Sequence, residues 1–186
     1  MSISIKSNPA FIRILLILFP VLFFSCNDDT THEKNRTVFD LNQYFISQIE
    51  TLGKEGFYLN KEITHNNKTE NKIIPNADWS KELALFQNLS IDSKKLLAEF
   101  SSDTMLQEKN IFKIIYSPLD GDFEIKKIEI LFEDKIVQKI TLTTSNENYL
   151  YSNNKHLIYS PLGYYSIEGT QHTAIGQEIN FLIKGE

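Results

Sequence analysis

The chain reads as an α+β protein, with N-terminal helices packed on a curved, mainly antiparallel β-sheet. Three observations predict this. Apolar residues recur at helical spacing between residues 41 and 100, and from Ile111 onward they alternate with polar ones. The strand-like runs are joined by short spacers of Asn, Gly and Pro, which suit antiparallel neighbours better than helical crossovers. A length of 186 residues, 41% hydrophobic and 23% charged, fits a single folded domain, placed at residues 38–186.

Residues 1–25 read as a lipoprotein signal peptide. Lys6 and Arg13 make a basic start, and Ile14–Phe24 is an unbroken apolar run containing Pro20. Those 11 residues would rise about 16 Å as a helix, roughly half of a hydrocarbon core of about 30 Å, so cleavage is expected rather than spanning. Phe23-Phe24-Ser25-Cys26 closes the run, and Asn27 to Lys34 is wholly polar. An apolar segment, a small residue and the single cysteine of the chain resemble a bacterial lipobox; Phe23 and Phe24 depart from its usual Leu and small residue and resemble the looser lipoboxes of Bacteroidota. The resemblance implies cleavage between Ser25 and Cys26 and a diacylglyceryl group on the Cys26 thiol. The membrane is then a partner through covalent lipid: each buried methylene contributes about 0.8 kcal/mol, and two or three acyl chains hold stably where one does not. Asn27-Asp28-Asp29 resembles an acidic export signal, which places the expected anchor in the outer membrane, on its periplasmic or cell-surface face. Residues 26–37 form a flexible tether.

Within the domain, Asp40 with Gln43 three residues on caps a helix over 41–52. Leu41, Phe45, Ile49 and Leu52 share its apolar face, and Gly53 stops it. Phe57–Thr64 and Thr69–Ile74 flank the turn His65-Asn66-Asn67-Lys68 as a hairpin. Asp78 caps a second helix carrying Trp79, Leu83 and Phe86 on one face, and Ser93–Phe100 makes a third. Strands are expected at 111–116 and through Ile128, Ile130 and Phe132. Phe123 and Ile125 have the opposite parity, so Lys126-Lys127 absorbs a bulge. Glu133-Asp134-Lys135 turns the chain into Ile136, Gln138, Ile140 and Leu142. Strands at 148–152, 155–159, 164–170 and 178–184 follow, joined by Asn153-Asn154, Pro161-Leu162-Gly163 and 171–177. Ile115–Leu119 recurs letter for letter as Ile158–Leu162, which we read as shared turn chemistry.

The chemistry of the chain is defined chiefly by what it lacks. Its seven glycines form no phosphate-cradling loop, and no Gly-x-Ser-x-Gly elbow is present. His32, His65, His156 and His172 are never paired at metal-ligand spacing. Asp120-Gly121-Asp122-Phe123-Glu124 lacks the remaining letters of a calcium loop, with Leu131 where a bidentate Glu would stand. No catalytic residue, metal or cofactor is therefore expected. The 19 basic and 24 acidic side chains leave a net charge of −5, which argues against nucleic acid. Removing Lys6 and Arg13 with the signal leaves −7.

Five of the eight tyrosines, Tyr149, Tyr151, Tyr159, Tyr164 and Tyr165, fall within 17 residues. They form either a binding platform for an envelope glycan or protein or a set of cross-strand packing rings. The expected function is a non-catalytic binding or interaction module. A carrier of an apolar ligand in a cupped sheet is the alternative, and an envelope hydrolase built on a carboxylate pair stands behind it.

The lipobox, Phe39-Asp40-Leu41, Leu150-Tyr151-Ser152, His156-Leu157-Ile158-Tyr159 and Gly163-Tyr164-Tyr165-Ser166-Ile167-Glu168-Gly169 together resemble an uncharacterised Bacteroidota lipoprotein family of unknown function. The resemblance covers most of the mature chain and brings no activity or binding residues with it. The short O-glycosylation sequon of that phylum is matched by Asp29-Thr30-Thr31 and Asp103-Thr104-Met105, which implies Thr30 and Thr104 as acceptors.

Overall fold

The structure, a computed structural model, describes residues 38–56 and 58–186. The signal peptide, Ser25, Cys26, Thr30 and the 26–37 tether lie outside the described residues, as does Phe57.

Helix α1 spans Leu41–Glu55, and the Asp40 carboxylate caps it by accepting from the Gln43 amide at 2.8 Å. The expected stop at Gly53 is corrected. The helix passes through Gly53, where even a Cβ would meet nothing within 4 Å, and ends at Gly56, which takes the left-handed conformation at φ 63°. The hairpin forms as expected from β1 (Leu59–His65) and β2 (Lys68–Ile74). Asn66 and Asn67 turn it at φ 46° and 68°, the pair of positive values that a type I′ turn needs.

The helix expected after Asp78 breaks at Leu83 into two short pieces, α2 (Trp79–Glu82) and α3 (Ala84–Asn88). Asp78 does not cap with its side chain: its carboxylate accepts from the Ser80 hydroxyl and pairs with Lys81. Helix α4 (Ser93–Glu99) starts instead from a true side-chain cap, Asp92, which accepts from the amides of Lys94 and Lys95. Phe100, expected to end that helix, opens a strand missing from the sequence reading, β3 (Phe100–Glu108). Only Phe100 of this strand is buried, because β3 lies at the edge of the sheet, so no alternation betrays it.

Strands β4 (Ile111–Pro118), β5 (Ile125–Glu133), β6 (Ile136–Glu147), β7 (Tyr151–Tyr159), β8 (Tyr165–Thr173) and β9 (Ile179–Gly185) follow as an antiparallel meander. The register shifts between Ile125 and Lys127, and both Ile125 and Ile128 are buried, as the parity change required. A second shift, between Leu131 and Phe132, was not legible; it turns Val137 inward and leaves Ile136 65% exposed. Asn153-Asn154 is not a turn. Both residues sit inside β7 and pair on one side with β6 and on the other with β8. The chain turns earlier, where the Asn148 side chain accepts from the Leu150 and Tyr151 amides.

Among the described residues the nine strands form one open antiparallel sheet, ordered β2-β1-β9-β8-β7-β6-β5-β4-β3. The N-terminal hairpin thus docks on the last strand, and β2 and β3 are the two edges. Residues 75–99 must carry the chain from one edge to the other, eight strand spacings or about 38 Å. The three short helices and the cap residues Leu83 and Leu89 make this crossing, and Trp79, Leu83, Phe86, Leu89 and Leu96 join the same core as Ile128, Ile130, Ile140, Leu142 and Leu157. Phe45 of α1 lies 5.2 Å from the Tyr159 ring and 5.4 Å from Phe86, so aromatic side chains fill the centre of this layer.

Tyr159 and Tyr165 are directly paired across β7 and β8, and both face that core. The Tyr159 hydroxyl donates to Gln48 Oε1 on α1 at 2.8 Å. Tyr165 donates to Glu82 Oε2 on α2, which also receives the Lys61 ammonium from β1 at 2.6 Å. One carboxylate therefore ties a helix to two strands. The recurring pentapeptide ends a strand in both copies: Tyr116 and Tyr159 are buried, Pro118 closes β4, and Pro161 opens a 3-10 turn after β7.

Candidate functional site

A groove of about 510 Å³ lies where the hairpin meets the last strand. Asn60 and Glu62 of β1, Asn71 and Ile73 of β2, Lys184 of β9 and Tyr164 line it. Alternation places these side chains together. Glu62 pairs with both Asn71 and Lys184 across the strands, and the backbone of Asn60 bonds reciprocally with Glu186, extending the β1–β9 ladder by one step. Glu62 Oε1 accepts from Lys184 Nζ at 3.0 Å and, by that bond and its charge, holds the ammonium above the ordinary lysine range.

Tyr164 is set by the turn before it. Gly163 has φ 91°, and a Cβ there would stand 2.7 Å from Trp79 Cη2, so only glycine fits beneath the indole. The chain then leaves the core with Tyr164 38% exposed, next to Tyr165 at 1%. Ile73, 68% exposed, supplies a second apolar wall. An aromatic face, an aliphatic wall, two amides and a fixed ion pair can bind a polar ligand with one flat apolar face.

The five tyrosines do not form one platform. Tyr159 and Tyr165 are core residues, whereas Tyr149, 88% exposed, stands in the β6–β7 turn. Tyr151 opens β7 and is partly exposed. The length of β7, roughly 26 Å, separates Tyr149 and Tyr151 from Tyr164. Only Tyr164 of the five lines the groove. Its companions Asn60, Glu62, Asn71, Ile73 and Lys184 were not singled out in the sequence. The signal available was their period of two within the hairpin; the β1–β9 pairing that unites them was not visible.

The sheet face bearing Lys113, Glu129 and Lys127 carries ion pairs rather than core, one across β4 and β5 and one along β5. Glu129 accepts from Lys113 at 3.2 Å and lies 3.1 Å from Lys127. Burial alone would raise its pKa, but the two lysines outweigh it and hold the carboxyl below the ordinary range. His156 stands in a shallow dimple on this face with Glu129 and Lys139. Among the described residues no group of three or more His, Cys, Asp or Glu is placed to hold a metal ion. Thr104 is exposed on β3. No helix among the described residues is long and apolar enough to cross a membrane.

Comparison of the chain with family models, curated proteins and solved structures finds no match.

Proposed function

We propose that this protein is a lipid-anchored, non-catalytic binding module of the bacterial outer membrane, and that the Tyr164 groove holds an envelope glycan. The groove carries the proposal. A sugar ring presents one flat face of C–H groups and a rim of hydroxyls. Tyr164 and Ile73 suit the face, while Asn60, Asn71 and the Glu62–Lys184 pair suit the rim. The amides both donate and accept, as hydroxyls require. The carrier reading has less support, since the rings of Phe45, Phe86 and Tyr159 occupy the layer where an apolar ligand would sit. The anchor rests on the Ile14–Cys26 run, and the Bacteroidota lipoprotein family remains the proposed affiliation.

Two measurements test the two halves. Cells grown with radiolabelled palmitate should label the wild-type chain and leave Cys26→Ala unlabelled; label that survives this change refutes the anchor. On arrays of envelope glycans the wild-type chain should bind, and Tyr164→Ala should weaken the best hit at least tenfold, about 1.4 kcal/mol. Equal binding by the variant removes the groove from the function.

A further inference from the structure

The two edges of the sheet differ. β2 carries Lys68, Glu70 and Lys72 at alternate positions and is followed by Pro75, the charged pattern that blunts an edge against pairing. β3 has nine residues, Phe100–Glu108, without Lys, Arg or Pro. Asp103 is its one internal charge, and Met105 and Leu106 are 52% and 74% exposed.

Its free hydrogen-bonding groups can be assigned. The Leu119 amide donates to the Glu99 carbonyl, one step beyond the Phe100–Pro118 pair, and the Asp134 amide donates to Asn110 at the far end of β4. By antiparallel alternation both bonds give one answer. Ser101, Asp103 and Met105 bond to β4, whereas Ser102, Thr104 and Leu106 turn their N–H and C=O groups outward. The register shift between Leu106 and Glu108 ends the free run.

We propose that β3 pairs antiparallel with β3 of a second copy of this chain, about a twofold axis through Thr104. In that register Thr104 faces Thr104, Ser102 faces Leu106, and every outward amide and carbonyl finds a partner. Asp103 then stands opposite Met105. A shift one way would oppose Asp103 to Asp103, and a shift the other way would leave Ser102 unpaired. The free edge is thus self-complementary in both charge and hydrogen bonding at one register. A twofold pairing also closes, leaving only the charged β2 edges outermost. The Tyr164 groove lies at the β2 side of the sheet and stays open, so the proposal does not depend on what the groove binds.

The test uses the full chain in detergent, with mass measured by light scattering corrected for the micelle. The wild-type chain should have twice its monomer mass at about 100 µM. Thr104→Pro removes only an outward donor, so it should keep the circular dichroism spectrum and raise the dimer dissociation constant at least tenfold. Thr104→Cys should give a disulfide joining two copies through position 104 in peptide mass spectra, and Ser101→Cys should not. A monomeric wild-type chain, a dimer unaffected by Thr104→Pro, or failure of Thr104→Cys to cross-link overturns the proposal. So does a sugar on Thr104 in native material, because it would block the pairing.

Discussion

Gly185→Val is expected to lower stability by more than about 3 kcal/mol and to leave little folded protein at 37 °C. Gly185 stands opposite Tyr165 across β8 and β9, and the phenol ring lies over it. A Cβ at this position would overlap Tyr165 Cε1 and stand 2.9 Å from Leu59 Cδ1, both in the core. Neither neighbour is a loose side-chain end. Displacing Tyr165 would also withdraw its hydroxyl from Glu82, and with it one of the ties between α2 and the sheet. Urea unfolding of Gly185→Val against the wild-type chain, followed by circular dichroism, measures the loss. A change below about 1 kcal/mol would show that the ring has room to move and that the close pairing is not structural.

The second large effect should appear in alkali. Tyr159 and Tyr165 have phenols raised above the ordinary range by burial, Tyr159 further by Tyr44 and Tyr165 further by the Glu82 carboxylate. Burial pushes Tyr44 up to about 12, and its hydroxyl has no hydrogen-bond partner among the described residues. In the unfolded chain these phenols ionise near pH 10. Because the folded values are the higher ones, their contribution is complete below about pH 10 and is lost as pH rises beyond it. Each phenol that is protonated in the fold and ionised in the unfolded chain can remove at most about 1.4 kcal/mol per pH unit. Stability to urea should therefore be flat across this titration's neutral side and fall steeply between about pH 10 and pH 12. Tyrosinate absorbance from these three residues should grow in step with loss of the near-ultraviolet dichroism. Ionisation of all tyrosines with that dichroism intact would contradict the burial assigned to them.

The sequence made the locally determined elements legible. The Asp40 cap, the Asn66-Asn67 turn and the bulge after Ile125 each depend on residues within a few positions of one another. Misreadings arose where distant chain decides. Asn153-Asn154 looks like a turn until two neighbouring strands are present to bond it. β3 carries no core face beyond Phe100, so its exposed polar residues resemble a loop. Gly53 resembles a helix stop, yet an exposed glycine tolerates helical backbone, and the left-handed cap three residues later does the stopping. The candidate site was legible only as Tyr164. The other groove residues come from the hairpin and the last strand, which are far apart in the chain, and no periodicity reports that pairing.

That same pairing of β1 with β9 has a consequence for how the chain is made. As the chain is made, the hairpin comes first and its neighbour follows only after more than a hundred further residues. The seven-strand meander from β3 to β9 can zip by short closures, but joining Lys61–His65 to Phe181–Gly185 closes a loop of more than a hundred residues. The hairpin must therefore wait without its sheet partner until β9 is in place, and this long loop closure is also the step that assembles the Tyr164 groove.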